Sequence, residues 1–487
     1  MVTAVLAIDA GTTGVRTRAV YDDGRPSISS YREFTQHFPR PGWVEHDASE
    51  IWDAVVATLT DVAGRVGDSV SAVGITNQRE TVVAWDKRSG RPLANAIVWQ
   101  DRRTAERCTE LESYLPLVRR TTGLVLDPYF SGTKAAWLIQ NNEMPPEEHL
   151  AIGTIDAWLV WNLTAGADFA TDASNASRTM LFDIGAMKWS NDMCNLIGVP
   201  MRCLPEVRPS SGRFGVTSGV PGIADGTPIS GIAGDQQAAL FGQACTLRGM
   251  AKNTYGTGSF VLLNVGSKCP PPTDGMLTTV AWDLGKGPTY ALEGSIFVTG
   301  AAVQWLRDGL GIISDSSEIG PLAASVPDTD GVYVVPAFTG LGSPWWDPYA
   351  RGTIVGITRG TTRAHIARAV VESMVFQTRD AIDAMTSAGG VKLAELRVDG
   401  GASVMDAMLQ HQADELGVPV LRPTDHETTA LGAAYLAGLA EGVWSSLDEV
   451  GRMWKLDARF EPNSPSGRHA TWRRAVERSL RWASDAD

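Results

Sequence analysis

A chain of 487 residues, 44% of them hydrophobic, has room for two or three domains of ~150 residues with full cores and needs no staple for stability. Its net charge of −13 argues against long-range attraction to nucleic acid or an anionic membrane, so an anionic ligand has to be gripped locally. Five widely spaced cysteines and seven scattered histidines, without a C-x-x-C or His-x-x-x-His pair, argue against a zinc or other transition-metal centre and for reduced thiols in the cytoplasm.

The opening run has no basic flank and is too short for a signal segment, and no stretch approaches the ~20 apolar residues of a membrane helix. Ala4 to Ile8 reads as a buried strand entering Asp9-Ala-Gly-Thr-Thr-Gly-Val-Arg16, with a second strand from Thr17 to Tyr21. The product is a hairpin with a small, hydroxyl-rich tip. Glycine lets its backbone N–H groups gather round phosphate oxygens, although an unliganded tight turn explains the tip alone equally simply. Asp9 suits a hydrated magnesium ion, which takes one or two carboxylates.

A helix is predicted over Ala48–Leu59, with Ile51, Val55 and Leu59 on one face and Ser49 near its cap. The strand Val70–Ile75 ends in Thr76-Asn-Gln-Arg-Glu80, where Arg79 and Glu80 either serve a polyhydroxylated ligand or form a solvated charge pair. A further strand, Ala96–Trp99, also runs into polar residues, the place where ligands collect in open α/β sheets. Trp99 there walls a carbon chain or joins a core. Asp127-Pro-Tyr-Phe-Ser-Gly-Thr-Lys134 opens a helix through Leu138, with the Tyr129 hydroxyl offered to a substrate or simply packed.

In Gly231-Ile-Ala-Gly-Asp-Gln-Gln-Ala-Ala-Leu-Phe-Gly242, Asp235 lies between a glycine turn and an apolar run. It is a general base held at a loop end, or a helix cap. Ala251 to Leu263 then repeats the strand, Gly/Thr tip, strand plan around Asn253-Thr-Tyr-Gly-Thr-Gly258, which suggests duplicated α/β halves with a nucleotide between two tips. A helix begins at Gly300. Val332–Pro336 reads as a strand followed by an irregular Gly/Pro/aromatic loop. A long helix over Ala364–Ala384 carries the stripe Ile366, Val370, Met374 and Thr378. Leu396 to Ser403 is a strand feeding a glycine turn and a helix over Val404–Leu416; its paired glycines admit a nucleoside or merely tighten the turn. Thr428–Gly438 is a close-packed helix, and the residues after Trp444 read as a peripheral cap.

Asp9-Ala-Gly-Thr-Thr, Pro41-Gly-Trp-Val-Glu-His46, Ile75-Thr-Asn-Gln-Arg-Glu-Thr81, the Asp127–Lys134 segment, Asn175-Ala-Ser-Arg-Thr-Met180, the Asp235 stretch and Pro344-Trp-Trp-Asp-Pro-Tyr-Ala-Arg351 together resemble the FGGY carbohydrate kinase family, and within it the glycerol kinases. The resemblance runs from about Val5 to Trp444. It implies an α/β fold of two duplicated ribonuclease H-like (actin-like ATPase) domains with a central cleft. The expected partition is residues 1–246 for glycerol and the first phosphate loop, 247–443 for the adenine nucleotide, and 444–487 as a peripheral extension. The implied reaction is transfer of the ATP γ-phosphoryl group to glycerol, giving sn-glycerol 3-phosphate, with Asp235 as general base.

Carried over by position, Arg79, Glu80, Tyr129, Asp235 and Gln236 bind glycerol, with Trp99 and Phe260 as the apolar wall. Thr12, Thr13, Gly14 and Arg16 form the first phosphate loop, and Thr257, Gly300, Gln304, Gly401 and Met405 take the remaining nucleotide positions. Asp9 and Asp235 are the expected magnesium ligands, and a homodimer or homotetramer is expected. Several positions depart from the family pattern. Ala10 replaces Gln, Gly14-Val15 replaces Ser-Ser, and Met405 stands for an Asn near the adenosine. Gly226 stands where kinases inhibited by fructose 1,6-bisphosphate carry an Arg, so no such inhibition is expected. Phosphorylation of another polyol or ketose, and a catalytically silent nucleotide sensor, are the alternatives.

Overall fold

The computed structural model describes residues 2–67 and 70–484. β1 (Ala4–Ala10) and β2 (Gly14–Tyr21) form the first hairpin, with Ala10 opposite Val15 and Gly11 to Thr13 as its tip. β3 (Ile28–Glu33) lies outside β2. On the other side of β1 follow β4 (Val70–Asn77) and, from later in the chain, β5 (Ser211–Val216) and β6 (Pro228–Gly234), in the order β5-β6-β4-β1-β2-β3. Alternation along β1 explains why it is apolar from Ala4 to Ile8. Leu6 and Ile8 enter one core with Ile51, Val55 and Leu59 of the helix α1 (Ala48–Val66), whereas Val5 and Ala7 point into a second core on the opposite face. α1 is capped by Asp47, whose carboxylate accepts the Ser49 N–H at 2.7 Å, so Ser49 is the capped residue and not the cap.

Between β4 and β5 the chain builds a smaller sheet from short strands including Val82–Asp86, Ala96–Ile97 and Leu150–Thr154. The strand expected over Ala96–Trp99 stops at Ile97, because the Trp99 N–H turns to Thr81 Oγ1 at 3.2 Å. The short helix α2 (Asp235–Gly242) closes the first half.

The second half repeats the sheet order of the first with one strand added. β7 (Met250–Tyr255) and β8 (Ser259–Gly266) make the second hairpin, followed by β9 (Leu277–Asp283) and β10 (Pro288–Ile296). Then come α3 (Gly300–Gln304), α4 (Arg363–Gly389), β11 (Glu395–Gly400), α5 (Asp406–Leu416), β12 (Val420–Pro423), α6 (Thr428–Ala440) and β13 (Leu456–Phe460). The sheet order is β9-β10-β8-β7-β11-β12-β13. Set beside β3-β2-β1-β4-β6-β5, the run from β10 to β13 has the same order and the same parallel and antiparallel pairings, with β9 added at one edge.

This correspondence relocates the residues after 443. They were expected as a peripheral extension, yet β13 pairs with β12 as the counterpart of β5, and α7 (His469–Ser479) buries Trp472 stacked on Phe376 of α4 at 5.6 Å. An edge strand such as Leu456-Asp-Ala-Arg-Phe460 is polar on its free side and therefore resembles a surface tail in sequence.

The two halves are joined by α2 and α6. A Cβ on Gly432 would land on the Ala238 carbonyl and one on Gly242 on that of Thr428, so glycine is what allows the two backbones to touch. Gly74 and Gly231 likewise let α6 lie directly on β4 and β6. Leu240, Phe241, Leu431, Tyr435 and Leu436 fill this seam. The architecture is the duplicated ribonuclease H-like, actin-like arrangement.

Candidate active site

β1, β4 and β6 are parallel neighbours in which Asp9, Thr76 and Ala233 lie abreast, so three segments leave the sheet along one edge ~10 Å wide. They carry Asp9, then Arg79 and Glu80, then Asp235. Asp235 begins α2 but does not cap it: Gly234 holds the cap position without a side-chain bond. Its Oδ1 accepts the Gln236 N–H at 2.6 Å and faces Arg79 Nε at 3.1 Å, while 31% of the side chain stays exposed. A Cβ on Gly234 would sit 2.7 Å from Arg79 Cγ, so this glycine makes room for the arginine.

Arg79 and Glu80 are buried, at 3% and 1% exposure, which removes the solvated-pair reading. Arg79 donates to both Glu293 carboxylate oxygens, to Gln237 Oε1 at 3.3 Å and to Tyr129 Oη at 3.4 Å. Arg178 donates to Glu80 Oε1 at 2.6 Å and to Glu293 Oε1 at 2.9 Å. The result is a continuous chain of opposite charges, Glu80–Arg178–Glu293–Arg79–Asp235, in which Glu293 belongs to the second half. Burial opposes the charged form of Glu293, but the two guanidiniums prevail and hold its pKa down to about 2. For Glu80 burial wins, and its carboxyl is raised. Glu80 also has φ +62, a left-handed conformation held by the Ser131 hydroxyl donating to its carbonyl at 2.9 Å.

Trp99 and Tyr129 meet edge to face, ring centres 5.7 Å apart. The Lys134 ammonium donates to the Val98 and Tyr129 carbonyls at 2.8 and 3.1 Å, tying the two aromatic segments together. Trp99 Nε1 donates to Thr12 Oγ1 at 3.0 Å, which fixes this wall against the first hairpin tip. Phe260 sits on β8 in the other half, partly buried against the seam, so it can join the wall only across the cleft. Gln236 Oε1 accepts from Lys252 Nζ. Burial lowers the Lys252 ammonium to about 8, with Asp399 and Asp235 pulling the other way.

At the first tip, removal from water, followed by repulsion from Asp235 and Glu427, outweighs attraction to Arg16 and pushes Asp9 up to about 7. A carboxyl left short of positive charge beside a second carboxylate suits a divalent cation such as hydrated magnesium, which needs no larger set of protein ligands. Among the described residues no group of three or more His, Cys, Asp and Glu could hold a metal ion. Thr12 and Thr13 occupy the tip, and Arg16 pairs with Glu427 of the other half.

The second tip borders a cavity of about 610 Å³ whose lining includes Thr257, Gly300, Gln304, Gly401 and Met405, the five residues expected at the remaining nucleotide positions. The glycine pair at the end of β11 divides its work. Gly400, at φ +85, lies against the backbone of Tyr255, whereas a Cβ on Gly401 would meet nothing within 4 Å. A 3-10 turn, Gly401–Val404, precedes α5, so the helix expected from Val404 starts at Asp406. A Cβ built on Gly320 would stand 3.6 Å from Met405 Cγ, so Met405 flanks this glycine and gives this part of the wall a thioether.

Glu293, Arg178 and Lys252 were not singled out from the sequence. Their signal is faint but present: Glu293 and Lys252 are lone charges within otherwise buried strands, and such charges need partners.

Residues 4–242 match the N-terminal domain, and residues 251–441 the C-terminal domain, of the FGGY family of carbohydrate kinases. A glycerol kinase of Bordetella parapertussis is 53% identical over 99% of this chain and 98% of its own. Glycerol kinase 2 of Thermotoga maritima is 52% identical over 98% and 99%. The crystal structure of Plasmodium falciparum glycerol kinase with ADP superposes with a TM-score of 0.93 at 37% identity, covering 98% of each chain. With a duplicated fold, charged groups gathered at one sheet end and a cavity at the other, the chain belongs to the FGGY family of carbohydrate kinases.

Proposed function

We propose that this protein is a glycerol kinase that transfers the γ-phosphoryl group of ATP to glycerol, yielding sn-glycerol 3-phosphate and ADP. The observation that carries the reading is the hydrogen bond from Trp99 to Thr12, which makes the acceptor wall and the first phosphate tip one rigid unit beside Asp235. The relatives named as glycerol kinases, at above 50% identity over nearly the whole chain, support the choice of acceptor.

Glycerol presents three hydroxyls on one side and a C–H edge on the other. Arg79, Glu80 and Asp235 meet the hydroxyls, with Tyr129 and Gln236 alongside, and Trp99 and Phe260 cover the carbon edge. Because Arg79 and Glu80 are buried and held in place through Glu293 and Arg178, an acceptor lacking a hydroxyl leaves one of them unpaired, which is the basis of selectivity. Asp235 accepts the proton of the terminal hydroxyl as its oxygen bonds to the γ-phosphorus and the bond to the ADP oxygen breaks. Thr12, Thr13 and the Gly11–Gly14 backbone orient the terminal phosphate, and Arg16 exchanges Glu427 for it. The adenosine lies in the cavity bounded by Gly300, Gln304, Gly401 and Met405. Asp9 and Asp235 would hold magnesium, which supplies neutralising charge to the phosphates when bound. Closure of the halves about α2 and α6 excludes water. Free, mostly buried thiols support a cytoplasmic enzyme.

The test is ADP release over glycerol, dihydroxyacetone, erythritol and xylulose, in the wild type and in Asp235→Asn. Glycerol is expected to give the highest kcat/KM. A faster ketose or longer polyol would overturn the acceptor. Nucleotide binding with no turnover on any acceptor would make the protein a sensor, and an Asn variant with full rate would remove Asp235 as the base.

A further inference from the structure

Position 14 is a glycine, so the first phosphate tip has no side chain there. The structure puts a hydroxyl in that place. β3 runs beside β2 with Tyr31 opposite Arg16, so position 14, Arg16 and Tyr31 share one face of the sheet. A Cβ built on Gly14 would stand 2.6 Å from Tyr31 Oη and 2.7 Å from Tyr31 Cζ. The phenol therefore lies where a residue-14 side chain would project, and the Arg32 carbonyl oxygen, 2.7 Å from the same Cβ, keeps that position a glycine whatever stands at 31. Tyr31 Oη is 3.4 Å from Thr13 Oγ1, and the Arg16 guanidinium lies 5.5 Å from the centre of the Tyr31 ring.

Core packing does not account for this tyrosine. It is 48% exposed on a largely polar strand, Ile-Ser-Ser-Tyr-Arg-Glu, and its ring reaches along the sheet toward the tip. Its phenol is a hydrogen-bond donor, and the ring face offers Arg16 a cation–π platform.

We propose that Tyr31 is a nucleotide-binding residue of the first phosphate tip: its hydroxyl donates to the terminal phosphate in place of the side chain Gly14 lacks, while its ring steadies Arg16. The inference rests on the phosphoryl-transfer reading above but not on the identity of the acceptor. A hydrogen bond to a charged phosphate is worth about tenfold in affinity at a half-exposed site.

The experiment is calorimetric titration of a non-hydrolysable ATP analogue and of ADP, both with magnesium and without glycerol, paired with steady-state kinetics on glycerol. Tyr31→Phe keeps the ring and is expected to weaken the ATP analogue about tenfold, with ADP within twofold and the KM for glycerol unchanged. Gly14→Ser alone collides with the phenol and is expected to weaken the analogue. Tyr31→Ala, which also takes the ring away from Arg16, is expected to weaken the analogue further than Tyr31→Phe does. Unaltered analogue affinity in Tyr31→Phe would overturn the proposal, as would a Tyr31→Ala variant that binds the analogue as tightly as the wild type. A wild type that binds the analogue but phosphorylates no glycerol would instead sink the acceptor assignment, leaving the titrations to decide Tyr31.

Discussion

The two halves share a backbone plan and differ in what stands at the carboxyl ends of their strands. In the first half, β1, β4 and β6 release Asp9, Arg79–Glu80 and Asp235, and the space is crowded with buried, mutually paired charge. In the second, β7 and β11 release Gly256–Thr257 and Gly400–Gly401, and the space is a cavity walled by small and apolar residues. Duplication supplied the same crevice twice. On the proposed function, the charged side chains of one copy move a proton and grip hydroxyls, and the glycines of the other leave its cavity open to the nucleoside. Glu293 shows that the division is not insulation: it comes from the second sheet yet sets the charge balance of the first site.

The comparison breaks most decisively at Asp235. Loss of its carboxylate in Asp235→Asn is expected to lower kcat by about 10²–10⁴-fold with little change in the KM for ATP, as read by a coupled ADP assay. A comparable loss in KM for ATP would mean that the charged end also serves the nucleotide. Next in size is Glu293→Ala. It strips two buried guanidiniums of their shared partner and should cost about 3–5 kcal/mol of unfolding free energy in urea titration. Glu293→Gln should recover part of that stability but still raise the KM for glycerol.

Asp9 sharpens the contrast through pH. Its pKa of about 7, above the ordinary 3.8, means the folded protein binds this proton more tightly than the unfolded chain does. The metal-free fold therefore loses stability to Asp9 as pH rises between those two values. Asp9→Asn should match the wild type in thermal melts near pH 4 and melt higher near pH 8, and magnesium should stabilise the wild type more than the variant. Equal melting at both pH values would refute the assignment.

The open end responds differently. Gly401→Ala meets no neighbour within 4 Å, so its melting temperature should hold while its affinity for ATP falls several-fold by titration. Loss of stability without loss of affinity would make Gly401 a turn residue only. The smallest expected effect is none: fructose 1,6-bisphosphate should leave the rate unchanged. Gly226 has φ +86, a conformation that an arginine adopts only with strain, and strong inhibition at low bisphosphate would contradict the expectation.

Both hairpins, the strand-to-helix turn at Asp235 and the helix α4 were legible because each rests on local rules: alternation, glycine tips and 3.6-residue stripes. The same rules did not decide between Asp47 and Ser49 as the cap of α1, since both are good cappers and only the backbone entering the helix chooses between them. They also gave no sign that β13 extends the second sheet, because an edge strand's polar face carries no mark of the partner beside it.

Residue order alone determined where charged and glycine-rich segments interrupt apolar strands, since burial and backbone freedom act within a few positions of the chain. Only the folded molecule decided which of those segments meet. Glu293 lies more than two hundred residues from Arg79, and Tyr31 fills the space above Gly14 from the neighbouring strand. Such partnerships follow from sheet order and from the seam between α2 and α6, where charge and volume are balanced between residues whose separation along the chain says nothing of their distance in space.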